Sequence, residues 1–198
     1  MQSATSSQLG LAHRSGSLQE SLSGKVILTV AASAFVALCA HISLPLPFTP
    51  VPLTLQNFAV ILVGMLLGPV AGFSAMVLYL AEGAIGLPVF TTHSVGGVAH
   101  LLGPNAGYLF SYPVAAATAG WVVRAMQRIT TRFRAGVVAA TVASAPIFVL
   151  GAVWLAHLLH IGAAATWTMA IAPFLPGEVV KITAAAGLFS SLQRWRQS

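Results

Sequence analysis

An acid and a base stand three residues apart near the end of the chain, in the stretch Pro173-Phe-Leu-Pro-Gly-Glu-Val-Val-Lys181. Residues with this spacing share one face of a helix, so Glu178 and Lys181 are placed to form an ion pair. The surrounding sequence is apolar, and charges at membrane depth are energetically expensive, which makes the pair a candidate functional site. The alternative is a structural bridge between helices, since a buried ion pair often contributes little net stability.

Three further polar side chains are candidates for the same pocket. Gln56 stands at the start of an apolar segment, and Asn105 and Tyr108 follow a Gly-Pro turn. Two amides, a phenol, a carboxylate and an ammonium among apolar walls suit a small, partly polar and anionic ligand.

The composition excludes a water-soluble protein. Of the 198 residues, 57% are hydrophobic and 6% are charged, whereas soluble domains carry roughly a quarter charged residues. The chain is therefore predicted to be an integral membrane protein whose surroundings are the lipid bilayer. The net charge of +6 would suggest nucleic acid in a soluble protein. Here the arginines fall at predicted membrane edges, so no nucleic-acid partner is expected.

Apolar segments of about 20 residues predict an all-α membrane protein with six transmembrane helices. The predicted helices are 26–44, 53–67, 70–85, 108–123, 135–158 and 165–192, the last of them interrupted at 173–177. Together they form a single transmembrane domain, residues 24–198. The Ser-rich segment 1–23 lacks the apolar core of a signal peptide and is predicted to be a disordered tail or a short surface helix.

The distribution of basic residues predicts the topology. If both termini are cytoplasmic, the cytoplasmic side carries Lys25, the arginine-rich loop after the fourth helix and the C-terminal arginines. The outer loops then carry no Lys or Arg, as the positive-inside rule requires. Glu178 lies about fifteen residues, or roughly 22 Å, from the inner end of the last helix. The pair is thus predicted in the outer half, beneath the proline-rich connection 45–52 and the loop 87–107. That loop mixes glycine with apolar residues and is predicted to pack on the protein as a lid or a re-entrant segment.

Small residues form a stripe on the first helix at Ser33, Ala37 and Ala40. Such a stripe lets another helix approach closely, either within the chain or from a partner protein. Gly64, Gly68 and Gly72 predict a close antiparallel hairpin of the second and third helices. Glu82, near the end of the third, is expected to reach the membrane interface.

Motifs for catalysis are absent from the sequence. It contains no G-x-x-x-x-G-K-[ST] phosphate loop and neither G-x-S-x-G nor H-E-x-x-H. No enzyme activity, cofactor or metal is therefore expected. One alternative is a small redox or proteolytic membrane enzyme that uses His157 or His160, which stand three residues apart.

Four segments, in order along the chain, carry a resemblance to a known family. They are Phe48-Thr-Pro-Val-Pro-Leu-Thr-Leu-Gln56, Gly83-Ala-Ile-Gly-Leu-Pro-Val-Phe90, Gly103-Pro-Asn-Ala-Gly-Tyr-Leu109 and Pro176-Gly-Glu-Val-Val-Lys181. Over roughly residues 25–192 the chain resembles the BioY family, the substrate-binding S-components of energy-coupling-factor (ECF) biotin transporters. Glu178 stands where the family pattern has aspartate, and Asn105-Ala106 replace its usual Thr-Gly.

The resemblance implies a function and a set of partners. It implies an S-component-like bundle in a bacterial-type inner membrane that captures biotin from outside at Gln56, Asn105, Tyr108, Glu178 and Lys181. It further implies docking through the first helix, at Ser33, Ala37 and Ala40, on a transmembrane coupling protein that two ATPase subunits drive. The alternative is a stand-alone carrier of biotin or another vitamin that works without an ATPase.

Overall fold

The computed structural model describes residues 22–91 and 96–195. The predicted tail 1–23 lies almost entirely outside these ranges and stays a prediction, as does the C-terminal end 196–198.

Helices make up most of the described chain, in agreement with the predicted all-α class. The first five are α1 (Leu22–His41), α2 (Gln56–Leu67), α3 (Pro69–Ala84), α4 (Ala106–Met126) and α5 (Arg132–Leu159). The short α6 (Ala163–Thr166) and the long α7 (Leu175–Trp195) form the last crossing. Among the described residues, three segments are long and apolar enough to span a membrane, namely Ser23–His41, Arg132–Leu159 and Ala163–Trp195, and α2 and α3 are shorter apolar helices.

The proline-rich connection forms the loop of a small hairpin. Strand β1 (Ser43–Leu44) pairs antiparallel with β2 (Leu53–Thr54), with Ser43 opposite Thr54. The prolines between them lack backbone donors and cannot continue α1. Helix α1 therefore ends at His41, three residues before the predicted boundary, and α2 begins at Gln56, three residues after it.

Glycines allow α2, α3 and α4 to pack with their backbones in contact. Gly68 forms the α2–α3 turn with a φ of 88°, a conformation that favours glycine. A Cβ atom at Gly64 would lie only 2.2 Å from the carbonyl oxygen of Ala116 on α4. The predicted hairpin is confirmed, and α4 lies at the centre of the bundle between α5 on one side and α2 and α3 on the other.

The interruption in the last crossing lies earlier than predicted. Trp167–Ile171 forms a wide π-type turn and Ala172–Phe174 a 3-10 turn, after which α7 runs without a break. Pro176 and Gly177 belong to the first turn of α7, where a proline is tolerated because its missing N–H has no helical partner to lose. Glu178 is consequently the acid of that first turn.

The described parts of the loop between α3 and α4 pack on the protein, as predicted. Phe90, His100 and Leu101 are buried, and His100–Leu102 forms a 3-10 turn. The ring of Phe90 occupies the space above Gly83, where a Cβ atom would lie 2.0 Å from it. This loop forms one wall of the space described next.

Candidate ligand-binding site

A pocket lies among the ends of α2, α4 and α7, the middle of α5 and the two irregular connections. It contains about 460 Å³ of space free of protein atoms, its open mouth included. Four of the five predicted ligand residues line it. The lining consists of Val51, Pro52, Thr54, Gln56, Asn57, Thr91, His100, Asn105, Tyr108, Leu109, Tyr112, Phe148, Phe174 and Lys181. The walls are largely apolar and aromatic with a few polar groups, which is the usual character of a small-molecule site.

The fifth predicted residue, Glu178, lies behind Lys181. Its carboxylate is 3% exposed, and Oε1 accepts a hydrogen bond of 2.7 Å from the Ser144 hydroxyl on α5. Oε2 lies 3.7 Å from the Lys181 Nζ atom, within ion-pair range but too far for a hydrogen bond. Among the described residues, no group hydrogen-bonds to Oε2. The ion pair therefore exists as predicted, with Lys181 facing the pocket and the carboxylate retaining an acceptor oxygen.

Gln56 is held by a buried chain of hydrogen bonds. Its Nε2 atom donates to the Tyr79 hydroxyl at 2.6 Å, and that hydroxyl donates to the Val89 carbonyl at 2.9 Å. Gln56 and Tyr79 are both buried. The amide at the start of α2 is thereby tied to α3 and to the loop that follows it, so its orientation in the pocket is fixed before any ligand arrives.

Two tyrosines one helical turn apart present their rings to the pocket. The Tyr108 hydroxyl donates to the Ala170 carbonyl in the wide turn at 2.7 Å. The Tyr112 hydroxyl donates to Asn57 Oδ1 at 3.2 Å. Tyr108 packs directly on Gly151, where a Cβ atom would lie 2.3 Å from its ring. Because both hydroxyls have protein acceptors, these residues offer the ligand mainly aromatic surface.

Asn105 lies at the mouth, just before α4. Its Oδ1 atom is buried and has no hydrogen-bond partner within the described residues. It lines both the pocket and an adjoining outer space of about 860 Å³ beneath the proline hairpin. His100 and Thr91 also line both spaces. This outer space forms a vestibule to the pocket. The Asn105 amide lies where the two spaces meet, in a position to contact a ligand.

Several lining residues were missed by sequence reasoning. His100 stacks on Phe90 with ring centroids 4.7 Å apart. Apart from their place in the loop, no sequence feature marks these two residues as part of a pocket. Tyr112 had a usable signal, because it stands four residues after Tyr108 and so shares its helix face. Phe148 and Phe174 are aromatic residues in apolar segments, and nothing in the sequence distinguishes them from other core residues.

The proposed docking stripe on α1 is only partly on the surface. Ser33 and Ala40 are fully buried within the chain, while Ala37 is half-buried. The Ser33 hydroxyl donates to Glu82 Oε2 on α3. Ser33 therefore packs against α3, and both Ser33 and Ala40 are buried within this chain, so neither is available to a partner. Glu82 is half-buried and accepts this hydrogen bond between α1 and α3, and its place at the membrane interface stays a prediction.

The histidines proposed for an enzyme lie elsewhere. His157 and His160 are exposed at the end of α5, with ring centroids 6.2 Å apart, and neither lines the pocket. Within residues 22–91 and 96–195, no group of three or more His, Cys, Asp or Glu side chains is placed to hold a metal ion.

The fold and the pocket define a helical membrane protein with a space suited to a small molecule at one end of its bundle. A sequence profile of the BioY family matches residues 11–198, so the chain belongs to the BioY family. The probable biotin transporter BioY of Pyrococcus horikoshii is 38% identical over 73% of this chain and 82% of its own. The biotin transporter BioY of Rhodobacter capsulatus is 33% identical over 84% of this chain and 91% of its own.

A solved structure has the same fold. It is the crystal structure at 2.1 Å of the S-component for biotin from an ECF-type ABC transporter. The TM-score is 0.78 at 25% identity, and the match covers 86% of this chain and 90% of that one. The predicted S-component-like bundle is confirmed.

Proposed function

We propose that this protein binds biotin and takes it up as the S-component of an ECF-type transporter. Membership of the BioY family, the two relatives and the solved S-component support the proposal. The structural observation that carries it is the buried Glu178–Lys181 pair. This pair places an ammonium at the inner wall of a pocket with aromatic sides, and directly behind it a buried carboxylate oxygen that lacks a hydrogen bond among the described residues.

The groups of biotin match those of the pocket. Its ureido ring offers two N–H donors and a carbonyl acceptor, and its valerate ends in a carboxylate. Asn105 Oδ1 at the pocket and Glu178 Oε2 behind Lys181 have no hydrogen-bond partner among the described residues, and as acceptors they suit the N–H donors once the ligand or Lys181 gives access to them. The Lys181 ammonium suits a carbonyl or a carboxylate. The apolar ring and chain fit against the aromatic walls, where burial contributes about 25 cal/mol per Å².

The direction of uptake follows from the charges. With both termini cytoplasmic, the arginine-rich connection between α4 and α5 lies inside and the pocket opens outside. The vestibule beneath the proline hairpin then faces the exterior, so biotin enters there. A bacterial-type inner membrane is the location that fits this arrangement.

Energy comes from other subunits in this proposal. The chain has no phosphate-binding loop, which agrees with ATP hydrolysis by two ATPase subunits that act on it through a transmembrane coupling protein. The coupling protein docks on the exposed face of α1. That face includes Ala34 and Leu38 and borders the half-buried Ala37, whereas Ser33 and Ala40 face inward.

Titration of the purified protein with biotin tests the binding step. We expect one biotin per chain and a loss of at least tenfold in affinity for Glu178→Ala and for Lys181→Ala. Val180→Ala, at an exposed position between them, serves as the matched control and keeps the wild-type affinity. Unchanged affinity in both pocket variants would refute the site assignment. Biotin uptake by cells that lack every coupling subunit would instead favour the stand-alone carrier.

A further inference from the structure

A second cavity lies at the opposite end of the bundle from the biotin pocket. It contains about 1390 Å³ of space free of protein atoms, its open face included, among the ends of α1, α2, α3, α4 and α7. Gln193 on α7 lines it and Lys181 on the same helix lines the pocket, twelve residues earlier. At 1.5 Å per residue the two sites are about 18 Å apart along the helix. We call this cavity the inner groove.

The floor of the inner groove is apolar. Met65 on α2 and Val123 on α4 are buried at its base, and Leu28, Leu66 and Val70 form its sides. Val70 is 78% exposed, so the groove opens towards the surroundings of the bundle at this point. Thr29 and Ser74 add hydroxyls to the lining, and the apolar side chains between them form a surface that can accept a hydrocarbon chain.

The rim of the inner groove is basic. Lys25 on α1 and Arg124 on α4 are exposed there. The Arg124 guanidinium packs on Gly68, where a Cβ atom would lie 1.9 Å from an Nη atom, so the lack of a side chain at this position leaves room for it. In the part of the chain that the structure describes, neither cation has an ion-pair partner. The amides of Gln127 and Gln193 add hydrogen-bond donors beside them.

Acidic groups are lacking at this end of the described structure. Glu82 and Glu178 are the acids within residues 22–91 and 96–195, and neither lines the groove. The arginine-rich connection between α4 and α5 adds positive charge on the same side of the membrane. The groove therefore combines a positive field with an apolar floor. A free anion would not need the apolar floor, and a neutral lipid would not need the positive field.

We propose that the inner groove binds an anionic phospholipid of the cytoplasmic leaflet. Lys25 and Arg124 hold the phosphate, the two amides donate to the headgroup, and one acyl chain lies along the apolar floor. The cytoplasmic leaflet is rich in anionic lipid, and each basic side chain near its surface raises lipid affinity about fivefold. The proposal depends on the orientation with both termini inside, and it is independent of the identity of the ligand in the outer pocket.

Native mass spectrometry of the full chain in detergent, with phosphatidylglycerol or phosphatidylcholine of the same acyl chains added, tests the proposal. Two cations predict about a 30-fold preference for phosphatidylglycerol. In Lys25→Ala/Arg124→Ala the preference falls to threefold or less. The matched control is Arg128→Ala/Arg134→Ala, which removes the same charge at the same end outside the groove and keeps the preference. Equal binding of both lipids by the wild type, or an unchanged preference in the groove variant, would overturn the proposal.

A second pair of variants tests the acyl-chain channel. Ala71→Trp fills the groove without changing the charge, and we expect it to abolish the phosphatidylglycerol adduct. Val77→Trp places the same ring on exposed α3 surface outside the groove and keeps the adduct. Persistence of the adduct in Ala71→Trp would contradict a bound chain. Displacement of the lipid by millimolar glycerol phosphate would show an anion site alone and would also overturn the proposal.

A protein occupant gives a different result. If the wild type shows no preference for phosphatidylglycerol and the groove variants lose copurification with the coupling subunit, then the inner groove is a protein-docking surface and the lipid assignment is wrong.

Discussion

A double-mutant cycle can separate the contribution of the Glu178–Lys181 ion pair to stability from its proposed contribution to biotin binding. Lys181→Met removes the ammonium and keeps a flexible side chain of similar length, and Glu178→Gln removes the carboxylate charge while keeping the shape. In Lys181→Met the Glu178 carboxylate, only 3% exposed, retains one described hydrogen bond, from Ser144. The single variant thus buries an unpaired charge, and the double variant does not.

The magnitudes follow from this difference. Breaking a buried pair from one side costs about 3–5 kcal/mol, whereas replacing both partners is often neutral. For a chain of this size, 1 kcal/mol corresponds to about 2–4 °C in the melting temperature. We therefore expect Lys181→Met to melt about 6–20 °C below the wild type, and Lys181→Met/Glu178→Gln to recover most of that loss. Biotin affinity falls at least tenfold in both, because neither keeps the ammonium in the pocket.

The measurements are thermal unfolding in detergent and biotin titration of the same preparations. Val179→Met introduces the same side chain at an exposed position on α7 and is expected to change neither quantity. Recovery of biotin affinity in the double variant would show that the pair is structural. If Lys181→Met has the same melting temperature as the wild type, then the Glu178 carboxylate is not effectively buried and the energetic reasoning fails.

The remaining predictions concern the walls of the pocket. Burial lowers the pKa of His100 in the outer loop below its usual value of about 6.5, so the folded loop resists a proton that the unfolded chain accepts. The free energy of unfolding therefore decreases as pH falls below about 6.5. In biotin titrations from pH 8 to 5, the affinity should fall less in His100→Gln than in the wild type. Gly151→Ala displaces the Tyr108 ring and should weaken biotin binding at least tenfold, while Gly187→Ala, which meets nothing within 4 Å, should not. Tyr79→Phe leaves the buried Gln56 amide and the partly buried Val89 carbonyl without this hydrogen-bond partner and should cost about 1–3 kcal/mol in unfolding measurements.

The sequence predicts the helices of this protein well, because membrane burial imposes a strong pattern. Runs of apolar residues mark each crossing, and Gly68-Pro69 marks the tight turn between α2 and α3. The interruption before α7 was misplaced because Pro176 and Gly177 look like helix breakers. In the first helical turn neither residue breaks the backbone hydrogen bonding. The wide turn at Trp167–Ile171 has no comparable sequence mark.

The pocket was predicted less completely than the helices. Gln56, Asn105, Tyr108 and Lys181 are polar residues in apolar surroundings, and that contrast is what identified them. The aromatic walls carry no such contrast, and their positions depend on how α4 and α5 pack. The stripe on α1 shows the same limit, because spacing alone does not say whether Ser33 faces a partner or, as the structure has it, α3.

Helix α7 extends without a break from the ion pair to the inner groove. Its 21 residues make a rod of about 30 Å. A rigid rod of this length is a mechanical lever, so a 10° tilt about its outer end would carry its inner end by about 5 Å, nearly one helical pitch. If biotin binding in the outer pocket tilts α7, then it also changes the shape of the inner groove. By thermodynamic reciprocity, whatever fills the groove then alters biotin affinity by the same factor.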